Sequence, residues 1–587
     1  MEERSHIPVN PPIPNPLPSY WQTPPSPLAN ILSPPSAHND LEEPYDYAII
    51  GSGISGAMTA YNLLFNPPKQ PTTTTSPSPP PPRVIMLEAR TLCSGATGRN
   101  GGHTKAASYR TYLHHKSTHG KSEALKIARL EYDNIRATHK LAQELGIECD
   151  NQRCNTVDLI YDRETFEAGK KAIRELRADA DEEERALGGM AWYRIYDPSP
   201  SDHDEDGMTP LSAITQKFYV KERNTNPSPL IPAPDSSEGE GRRRRGEKLV
   251  GAIEYTAGRI NAYAFTTSIL SMCVTQKKLK ILTNTPVLSI SSSSSPSSSP
   301  TLLHTLQTPT NPTSPTITTK TLILATNAYT ASLLPSPFQT HIVPLRGQIT
   351  AQQFSTRHNS PHPSVLPRTY SFIYKNGYEY MISRNEPSDG TQHIIIGGGL
   401  GRLPEMAGEF GGVDDGALNA DVSAYLRGVL GGYFGFSKND DDDDNDENGL
   451  DGEEGLVGGD DGELEEQQQQ YQVLNEWTGI MGATTDGLPF VGEVPGRRGV
   501  WVLAGFNGHG MVLCLKCAEA VVGMVRAGGG EGEEEVETVR EWFPRCFGVT
   551  RERVEGAVFK GRVDMDGGVG SGDMAGKGGG GGCGVVV

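Results

Sequence analysis

Residues Tyr47–Leu64 read YAIIGSGISGAMTAYNLL, and residues Arg83–Arg90 read RVIMLEAR. An apolar run predicts a strand, the segment with Gly51, Gly53 and Gly56 predicts a turn, and a helical apolar pattern follows. Strand, glycine turn and helix in this order form the fingerprint of a dinucleotide-binding unit. Gly51 permits the tight turn, Gly53 lets backbone N–H groups approach a pyrophosphate, and Gly56 lets the helix pack closely on the strand.

A second predicted strand ends at Glu88. A carboxylate here can accept hydrogen bonds from both ribose hydroxyls of an adenosine and repels a 2′-phosphate. The usual spacing to this acid is about twenty residues. It is restored when residues 66–82, a Pro/Thr/Ser-rich tract, are treated as a surface insertion. Ile54 and Ser55, at the start of the helix, supply N–H donors for the phosphates. The alternative is a glycine turn that binds no nucleotide.

Composition limits the class of protein. The chain has 587 residues, of which 36% are hydrophobic, and its 67 glycines and 44 prolines indicate long unpacked segments beside two cores. The formal net charge of −19 argues against nucleic acid as a main partner. No apolar stretch reaches the roughly 18 residues that span a bilayer, and the Pro-rich N-terminus lacks the apolar segment of a signal peptide. We therefore expect a cytoplasmic protein without a membrane partner.

Eight cysteines without regular spacing predict neither a disulfide framework nor a metal site. Cys514 and Cys517 form a CxxC motif within an apolar helical pattern. They are either buried small hydrophobic side chains or a redox pair, and the helical context favours burial. The RRRR run at 242–245 is either a nuclear-import signal or a solvated loop.

The segment 91–103, TLCSGATGRNGGH, is dense in glycine and small hydroxyl side chains. Such a loop offers backbone N–H groups and close approach to a ligand. With the nucleotide turn and the EAR acid, its SGATGRNGG element resembles the FAD-dependent amine and amino-acid oxidoreductases of the D-amino-acid oxidase superfamily, especially the gamma-glutamylputrescine oxidase branch. The resemblance implies FAD as cofactor and a Rossmann-type α/β FAD-binding domain beside a mainly antiparallel-sheet substrate domain, α+β overall.

The resemblance also implies FAD contacts along the chain. After the second strand they are Ala89, Arg90, Ser94, Thr97, Arg99, Asn100, Gly101, Gly102 and His103. Arg99 could instead form a surface salt bridge, and His103 could bind the flavin methyl group covalently, although we expect non-covalent FAD. Val287 matches the place where the family packs its main chain against the adenine. Thr326 lies in what looks like the family's second dinucleotide-contact turn.

The C-terminal region has a WxG and TxDGLPxxG segment at 477–492, then a strand, then a GFNGHGM turn at 505–511 that opens a helix. A glycine turn at a helix N-terminus can stabilise negative charge at the edge of a reduced flavin. The residues predicted here as FAD contacts are Gly482, Asp486, Gly505, Asn507, Gly508, His509, Gly510 and Met511.

These features predict the division of the chain. Residues 1–44 form a disordered Pro-rich arm. The FAD-binding domain comprises 45–160, 249–340 and 473–527, with insertions at 66–82 and 291–318. The substrate domain comprises 161–248 and 341–436, with an insertion at 224–248. Residues 437–470 form an acidic disordered insertion, and residues 528–587 form a Gly-rich tail.

The resemblance implies hydride transfer from the C–N bond of an amine or amino acid to FAD, with oxygen as acceptor. The alternatives are a dehydrogenase with another acceptor and a flavin-binding module without turnover. In the sarcosine-oxidase branch a lysine that binds the substrate carboxylate stands where this chain has Val512, and a cysteine that binds flavin covalently stands where it has Gly479. These differences exclude a cysteinyl flavin at that site and favour an amine substrate.

No dedicated catalytic base is required by the resemblance, so the catalytic candidates are few: His509, Tyr378 and Arg346. Arg346 either binds a substrate carboxylate or forms an internal salt bridge. The segment 371–384, SFIYKNGYEYMISR, predicts an antiparallel hairpin. Counting along it places Tyr374, Tyr378 and Tyr380 on one face, where they line either an amine pocket or a core.

Overall fold

Two β-sheets form the framework of the protein, which we describe from a computed structural model. The structure describes residues 2–31, 43–66, 80–199, 207–228, 230, 246–277, 279–294, 302–309, 317–355, 366–384, 391–438, 470–528, 533–555 and 559–561. The RRRR run and most of the predicted insertions at 66–82 and 437–470 lie outside these residues.

The strands are β1 (Tyr45–Ile50), β2 (Val84–Leu87), β3 (His103–Thr104), β4 (Gln152–Ile160), β5 (Tyr193–Tyr196), β6 (Gly251–Arg259), β7 (Lys280–Leu282), β8 (Ser289–Ser294), β9 (Leu302–Gln307), β10 (Ile317–Leu324), β11 (Ile342–Ser355), β12 (Thr369–Tyr374), β13 (Gly377–Ser383), β14 (Thr391–Gly397), β15 (Ser437–Lys438), β16 (Gln470–Thr484), β17 (Phe490–Glu493) and β18 (Val500–Ala504).

The helices are α1 (Glu2–Ser5), α2 (Ile54–Phe65), α3 (Ser108–His119), α4 (Lys121–Glu144), α5 (Arg163–Asp179), α6 (Glu182–Arg185), α7 (Leu211–Phe218), α8 (Ala262–Lys277), α9 (Thr330–Leu333), α10 (Pro335–Phe338), α11 (Ala420–Arg427), α12 (Val429–Phe434), α13 (Cys514–Arg526), α14 (Glu533–Trp542) and α15 (Arg551–Val554). Among the described residues, none of these helices is both long and apolar enough to cross a bilayer.

The first sheet has the order β17-β18-β10-β1-β2-β7. β1 lies parallel to β10 and to β2, and β18 and β7 continue the parallel arrangement. Parallel strands are buried on both faces, which explains the unbroken apolar runs at 47–50 and 84–87. Helices α2, α8 and α13 contribute to one core against this sheet. The predicted Rossmann-type domain is confirmed.

The second sheet has the order β15-β16-β11-β14-β13-β12-β4-β6-β3, with β5 beside β6. Its pairs are antiparallel except β12 with β4 and β15 with β16. The predicted mainly antiparallel sheet is therefore confirmed. β4, β6 and the part of β16 from residue 473 lie in this sheet, although the sequence assigns them to the FAD-binding domain. Only their pairing with strands distant in sequence places them here.

The predicted insertion at 291–318 contains more structure than expected. β8 and β9 form an antiparallel hairpin, and β9 continues onto β10, so that they extend the first sheet at one corner. Leu306 and Ile317 are buried in a core beside this sheet, whereas Ser291–Ser294 are on its exposed side. The serine-rich composition concealed a hairpin that is apolar at only a few positions.

The arm predicted to be disordered is ordered over residues 2–31 and lies on the body of the protein. Val9 and Trp21 are buried, and backbone carbonyls of the arm accept hydrogen bonds from the side chains of Arg90, Arg99 and Gln339. A segment with too few apolar residues for its own core is stabilised here by the rest of the chain.

The predicted Gly-rich tail is also partly ordered. α14 and α15 lie in it, and Phe543 and Phe547 are buried in the core that contains α13. Arg553, on α15, donates from Nε and Nη2 to the carboxylate of Asp486 at 2.6 and 3.0 Å. In the predicted insertion at 224–248, Asn226 is buried and donates to the Tyr425 carbonyl at 2.9 Å.

The ion pair between Arg553 and Asp486 predicts a stability effect. Burial disfavours the ionised form of Asp486, but Arg553 and the Leu488 N–H outweigh it and hold the pKa of this carboxyl below its usual value. We expect Arg553→Ala to lower the free energy of unfolding by about 1–3 kcal/mol at pH 7, because it removes the ion pair with Asp486 and the hydrogen bonds of the guanidinium to the Leu488 and Pro489 carbonyls. Urea unfolding of the FAD-loaded protein measures it.

The control is Arg551→Ala, two residues earlier in α15 and exposed, which should change the free energy of unfolding by less than about 0.5 kcal/mol. Because the pKa of Asp486 is depressed in the folded state, the stabilisation is present above the unfolded-state pKa of about 3.9 and is lost as pH falls through the lower folded value. Equal losses in both variants would contradict the assignment.

Candidate functional site

One cavity of about 340 Å³ extends from the glycine turn after β1 to the second sheet. The predicted cofactor residues that line it are Gly51, Gly53, Ile54, Ser55, Glu88, Ala89, Arg90, Thr97, Arg99, Asn100, Gly101, Gly102, His103, Val287, Thr326, Gly508, His509, Gly510 and Met511. Segments separated by more than 400 residues in sequence thus meet at one site.

The glycine turn after β1 leaves no room for side chains. Gly51 has a φ of +103°, and a Cβ there would lie 2.5 Å from the Ala325 carbonyl oxygen. A Cβ on Gly56 would lie 2.0 Å from the Gly51 carbonyl oxygen, so this glycine packs α2 on the turn without lining the cavity. Thr97 Oγ1 accepts from the Ile54 N–H at 3.0 Å. The result is a backbone cradle at a helix N-terminus, which suits a pyrophosphate.

Glu88 is held at the end of β2 with its carboxylate at the cavity wall. Its Oε2 accepts from Ser52 N–H at 3.1 Å and Ser52 Oγ at 2.6 Å, and its Oε1 accepts from Arg90 N–H at 3.0 Å. A carboxylate can accept about four hydrogen bonds, so capacity remains for a ribose hydroxyl. Tyr329 also lines the cavity, and its buried hydroxyl has no hydrogen-bond partner among the described residues. These polar groups fit the adenosine half of FAD.

Arg90 and Arg99 are joined by Asp415, a residue that sequence reasoning missed. Arg90 Nη1 lies 2.9 Å from Asp415 Oδ1, and Arg99 Nε lies 3.5 Å from Asp415 Oδ2. Arg99 also donates to the Thr478 carbonyl at 2.6 Å. Burial lowers the pKa of Arg99 to about 10, so it stays charged at neutral pH. Arg99 is 1% exposed, which excludes the alternative of a surface salt bridge.

The GRNGG loop fits tightly under the second sheet. A Cβ on Gly101 would lie 2.4 Å from the Tyr380 ring, and Gly102 has a φ of +78°. Asn100 Oδ1 accepts from the Gly102 N–H at 2.7 Å. His103 Nε2 lies 2.8 Å from Thr369 Oγ1, and burial and then Lys105 lower the pKa of His103 well below its usual value, which keeps the ring neutral.

The GFNGHGM turn divides into residues that line the cavity and residues that shape the turn. Gly508, His509, Gly510 and Met511 line it. Gly505 and Asn507 do not: Asn507 Oδ1 accepts from the Thr484 N–H at 2.8 Å, and the Gly505 N–H donates to Asn327 Oδ1 at 3.0 Å. Asn327, which follows Thr326, therefore joins the turn at Thr326 to the GFNGHGM turn.

Other predicted residues also lie outside the cavity lining: Ser94, Gly482, Asp486 and Arg346. The Ser94 carbonyl accepts from Arg90 Nη2 at 3.1 Å, and Gly482 packs against Asn327 and Ala328. Asp486 is bound by Arg553. Arg346 donates to Glu409 at 2.5 and 2.9 Å, so it forms the internal salt bridge that the sequence left as one alternative.

The three tyrosines of the hairpin do not share a face. β12 and β13 are joined by a two-residue turn that pairs Tyr374 with Gly377, and therefore Ile373 with Tyr378. Tyr374 lies on the opposite face, where the Arg402 guanidinium is 3.4 Å from its ring centroid. Tyr378 and Tyr380 line the cavity. The prediction failed because it counted alternation through the turn.

Two cations line the cavity where it meets the second sheet, and sequence reasoning missed both. Lys105 forms an ion pair with Asp158 and donates to Ser371 Oγ at 2.5 Å. Arg110 places its guanidinium 4.7 Å from the Tyr378 ring centroid. A signal existed, because they follow the GRNGGH segment by two and seven residues, and a chain leaving a cofactor loop stays near the cofactor for several residues.

Gly51→Ala should abolish retention of FAD, lowering affinity by at least about 100-fold, since the new methyl group clashes with a backbone oxygen and cannot move away. Quenching of flavin fluorescence on titration of the apoprotein measures it. The matched control is Gly496→Ala, at φ +76° with open space around it, which carries only the backbone strain of about 1–2 kcal/mol. Equal affinity in both variants would refute the cradle.

Comparison with solved structures shows the same fold in other proteins. A glycine oxidase from Geobacillus kaustophilus is 18% identical, with a TM-score of 0.52 over 86% of this chain and 98% of that chain. An L-amino acid deaminase from Proteus vulgaris is 14% identical, with a TM-score of 0.50 over 89% and 97%. One from Proteus myxofaciens is 15% identical, with a TM-score of 0.50 over 92% and 97%.

No curated protein matches the chain in sequence. A family model does: the model of the DAO family, described as FAD dependent oxidoreductase, matches residues 46–524. This match includes both halves of the cavity, from the glycine turn after β1 to the helix after the GFNGHGM turn. The cofactor is accordingly FAD, and the chain belongs to the DAO family of FAD-dependent oxidoreductases.

Proposed function

We propose that the protein oxidises the C–N bond of an amine or amino acid to an imine, with molecular oxygen as the final electron acceptor. FAD, when bound, supplies the hydride acceptor. The observation that carries the proposal is the polar, aromatic end of the cavity, where His509 and Gly510 approach Tyr378, Tyr380 and Arg110. A small polar substrate held there lies between the C-terminal turn and the second sheet, away from the adenosine end.

The charges at this end favour a substrate that carries a carboxylate. Among the described residues that line the cavity, Glu88 is the only acid, and it belongs to the adenosine end. A polyamine would bring a second positive charge towards Lys105 and Arg110 without a carboxylate to receive it. The sequence has Val512 where the sarcosine-oxidase branch has its carboxylate-binding lysine, which favours an amine without a carboxylate. Arg110 offers a different ligand for a carboxylate.

Lys105 and Arg110 have different surroundings at this end of the cavity. Asp158, which neutralises Lys105, is itself held by the hydroxyls of Tyr109 and Tyr255 at 2.7 and 2.9 Å. Burial lowers the pKa of Lys105, while Asp158 opposes that effect. The Arg110 guanidinium lies over the Tyr378 ring, a cation–π contact that holds this cation at the cavity wall. We therefore assign Arg110 as the ligand of the substrate carboxylate. We assign Lys105 a structural role, in which it holds Asp158 and Ser371 in place.

We further place the chain in the gamma-glutamylputrescine oxidase-like branch. The support is the GRNGG element at residues 98–102 and the absence of a lysine at Val512. Gamma-glutamylputrescine combines a primary amine with a glutamyl carboxylate, so it satisfies both the redox chemistry and the cation at Arg110. Simple amino acids satisfy the same two requirements.

The test of function is anaerobic titration of the yellow protein with matched pairs of compounds. Each pair compares a carboxylated amine with its analogue that lacks the carboxylate, such as gamma-glutamylputrescine with 4-aminobutanoylputrescine, or N-methylglycine with dimethylamine. We expect bleaching of the flavin absorbance by the carboxylated member only. Peroxide formed on re-aeration supports the oxidase; reoxidation only by an added electron acceptor indicates a dehydrogenase. A protein that no compound of either class bleaches would refute the proposal.

Arg110→Ala should raise KM for the carboxylated substrate by about 10- to 100-fold, the loss expected for one hydrogen-bonded charge pair. The kcat should change much less, because the carboxylate is bound equally in the ground state and the transition state. Steady-state kinetics with the carboxylated substrate measure both parameters. Arg129→Ala, which breaks a surface ion pair with Glu184, is the control. An unchanged KM would exclude Arg110 as the anchor.

A further inference from the structure

We propose that the N-terminal arm, residues 2–31, is a structural part of the FAD site. It closes the adenosine end of the cavity and supports the GRNGG loop, so that docking of the arm and binding of FAD stabilise each other. This inference rests on FAD as the cofactor and is independent of the substrate. It assigns a role to a segment whose composition predicted disorder.

At the adenosine end, Pro11 and Pro12 line the cavity directly. Their position is fixed by Arg90, whose Nη1 donates to the Ile13 carbonyl at 3.2 Å. Arg90 follows Glu88 by two residues and donates its own N–H to that carboxylate. The arm therefore lies over the part of the cavity where Glu88 meets a ribose.

In the middle of the arm, both the backbone N–H and the backbone carbonyl of Leu17 form hydrogen bonds with the body of the protein. Its N–H donates to the Asp415 carbonyl at 2.9 Å, and its carbonyl accepts from Arg99 Nη2 at 2.5 Å. Asp415 is the buried carboxylate that pairs with Arg90 and Arg99. Removal of the arm would leave two buried guanidinium groups short of acceptors, which destabilises their present positions.

Beyond Leu17, the arm supports the loop that lies against the flavin. Ser19 Oγ donates to the Gly98 carbonyl at 2.6 Å, and Trp21 Nε1 donates to the Asn100 carbonyl. A Cβ on Gly102 would lie 3.3 Å from the Trp21 ring, so the indole packs directly on this glycine. Trp21 is 5% exposed. It is a positioning residue that acts on FAD through the loop.

Both ends of the arm are anchored away from the cavity. Arg4 Nε donates to the Phe410 carbonyl at 2.8 Å, in the substrate domain. The Leu92 N–H donates to the Ala29 carbonyl at 2.9 Å, and Thr283 Oγ1 donates to the Ile31 carbonyl at 3.0 Å, in the FAD-binding domain. The arm thus spans the two domains across the mouth of the site.

Coupling of this kind is reciprocal: if the arm raises affinity for FAD, then FAD raises the stability of the docked arm by the same factor. The first test is a variant that lacks residues 2–31. Its dissociation constant for FAD, measured by flavin fluorescence on the apoprotein without any substrate, should be at least about tenfold weaker than that of the full chain. A constant within about twofold would overturn the proposal.

If the truncated chain does not fold, as judged by circular dichroism, the FAD affinity of Trp21→Ala in the full chain tests the proposal instead. It should weaken FAD binding at least about fivefold. Trp542→Ala, which alters a tryptophan on α14 outside the arm and the cavity lining, is the matched control and should leave the FAD dissociation constant within about twofold. Equal FAD affinities of the two variants would overturn the proposal.

The reciprocal effect is measured on the unaltered protein by limited chymotrypsin digestion. Cleavage after Tyr20 and Trp21 should be slower in the FAD-loaded protein than in the apoprotein by at least about tenfold. Equal cleavage rates would overturn the coupling. Because neither measurement uses substrate, a failure here is distinct from a failure of the proposed oxidation, which is detected by bleaching alone.

Discussion

The buried carboxylate of Asp415 is the interaction on which the site depends. It lies between Arg90 and Arg99, and all three side chains are at most 5% exposed. Two guanidinium groups and one carboxylate leave the cluster with one net positive charge at a poorly hydrated place, where interactions between charges are only weakly screened. Such a cluster is stable only if its remaining donors find acceptors. Carbonyls of residues 13, 17, 94 and 478 provide them, so the N-terminal arm, the loop at 90–99, Asp415 and β16 are brought to one place.

This constraint explains which parts of the site could be predicted from sequence. The roles of Gly51, Gly53 and Glu88 follow from a local pattern, because strand, turn and helix are adjacent in the chain. The same is true of the turn at 508–511. Asp415 has no such pattern: it stands in a loop, and only the fold brings it to Arg90. Asp486 is the converse case. Its local motif predicted an FAD contact, but its side chain pairs with Arg553 from the C-terminal region.

The reactive end shows how charge selects among ligands on a shared scaffold. The DAO fold supplies the cofactor site, while substrate choice rests on a few side chains of the loop and the second sheet. Lys105 is neutralised by Asp158, and Arg346 by Glu409. The Arg110 guanidinium lies over the Tyr378 ring at the same end of the cavity, which is why we propose it as the ligand of a substrate carboxylate. Tyr378 faces the cavity because a two-residue turn reverses the alternation that Tyr374 begins.

The composition of the N-terminal arm, which argued for disorder, also suits it to a docked state. Proline lacks an N–H group, so Pro12 and Pro16, which are partly buried, need no acceptor there. Its fixed φ keeps the chain extended before docking, so less conformational entropy is lost. The body of the protein supplies Arg90 and Arg99 as donors to carbonyl oxygens of the arm, and Arg4 of the arm donates in turn to the Phe410 carbonyl. A Pro-rich segment is thus matched to a surface rich in arginine donors, and its order comes from that surface rather than from its own sequence.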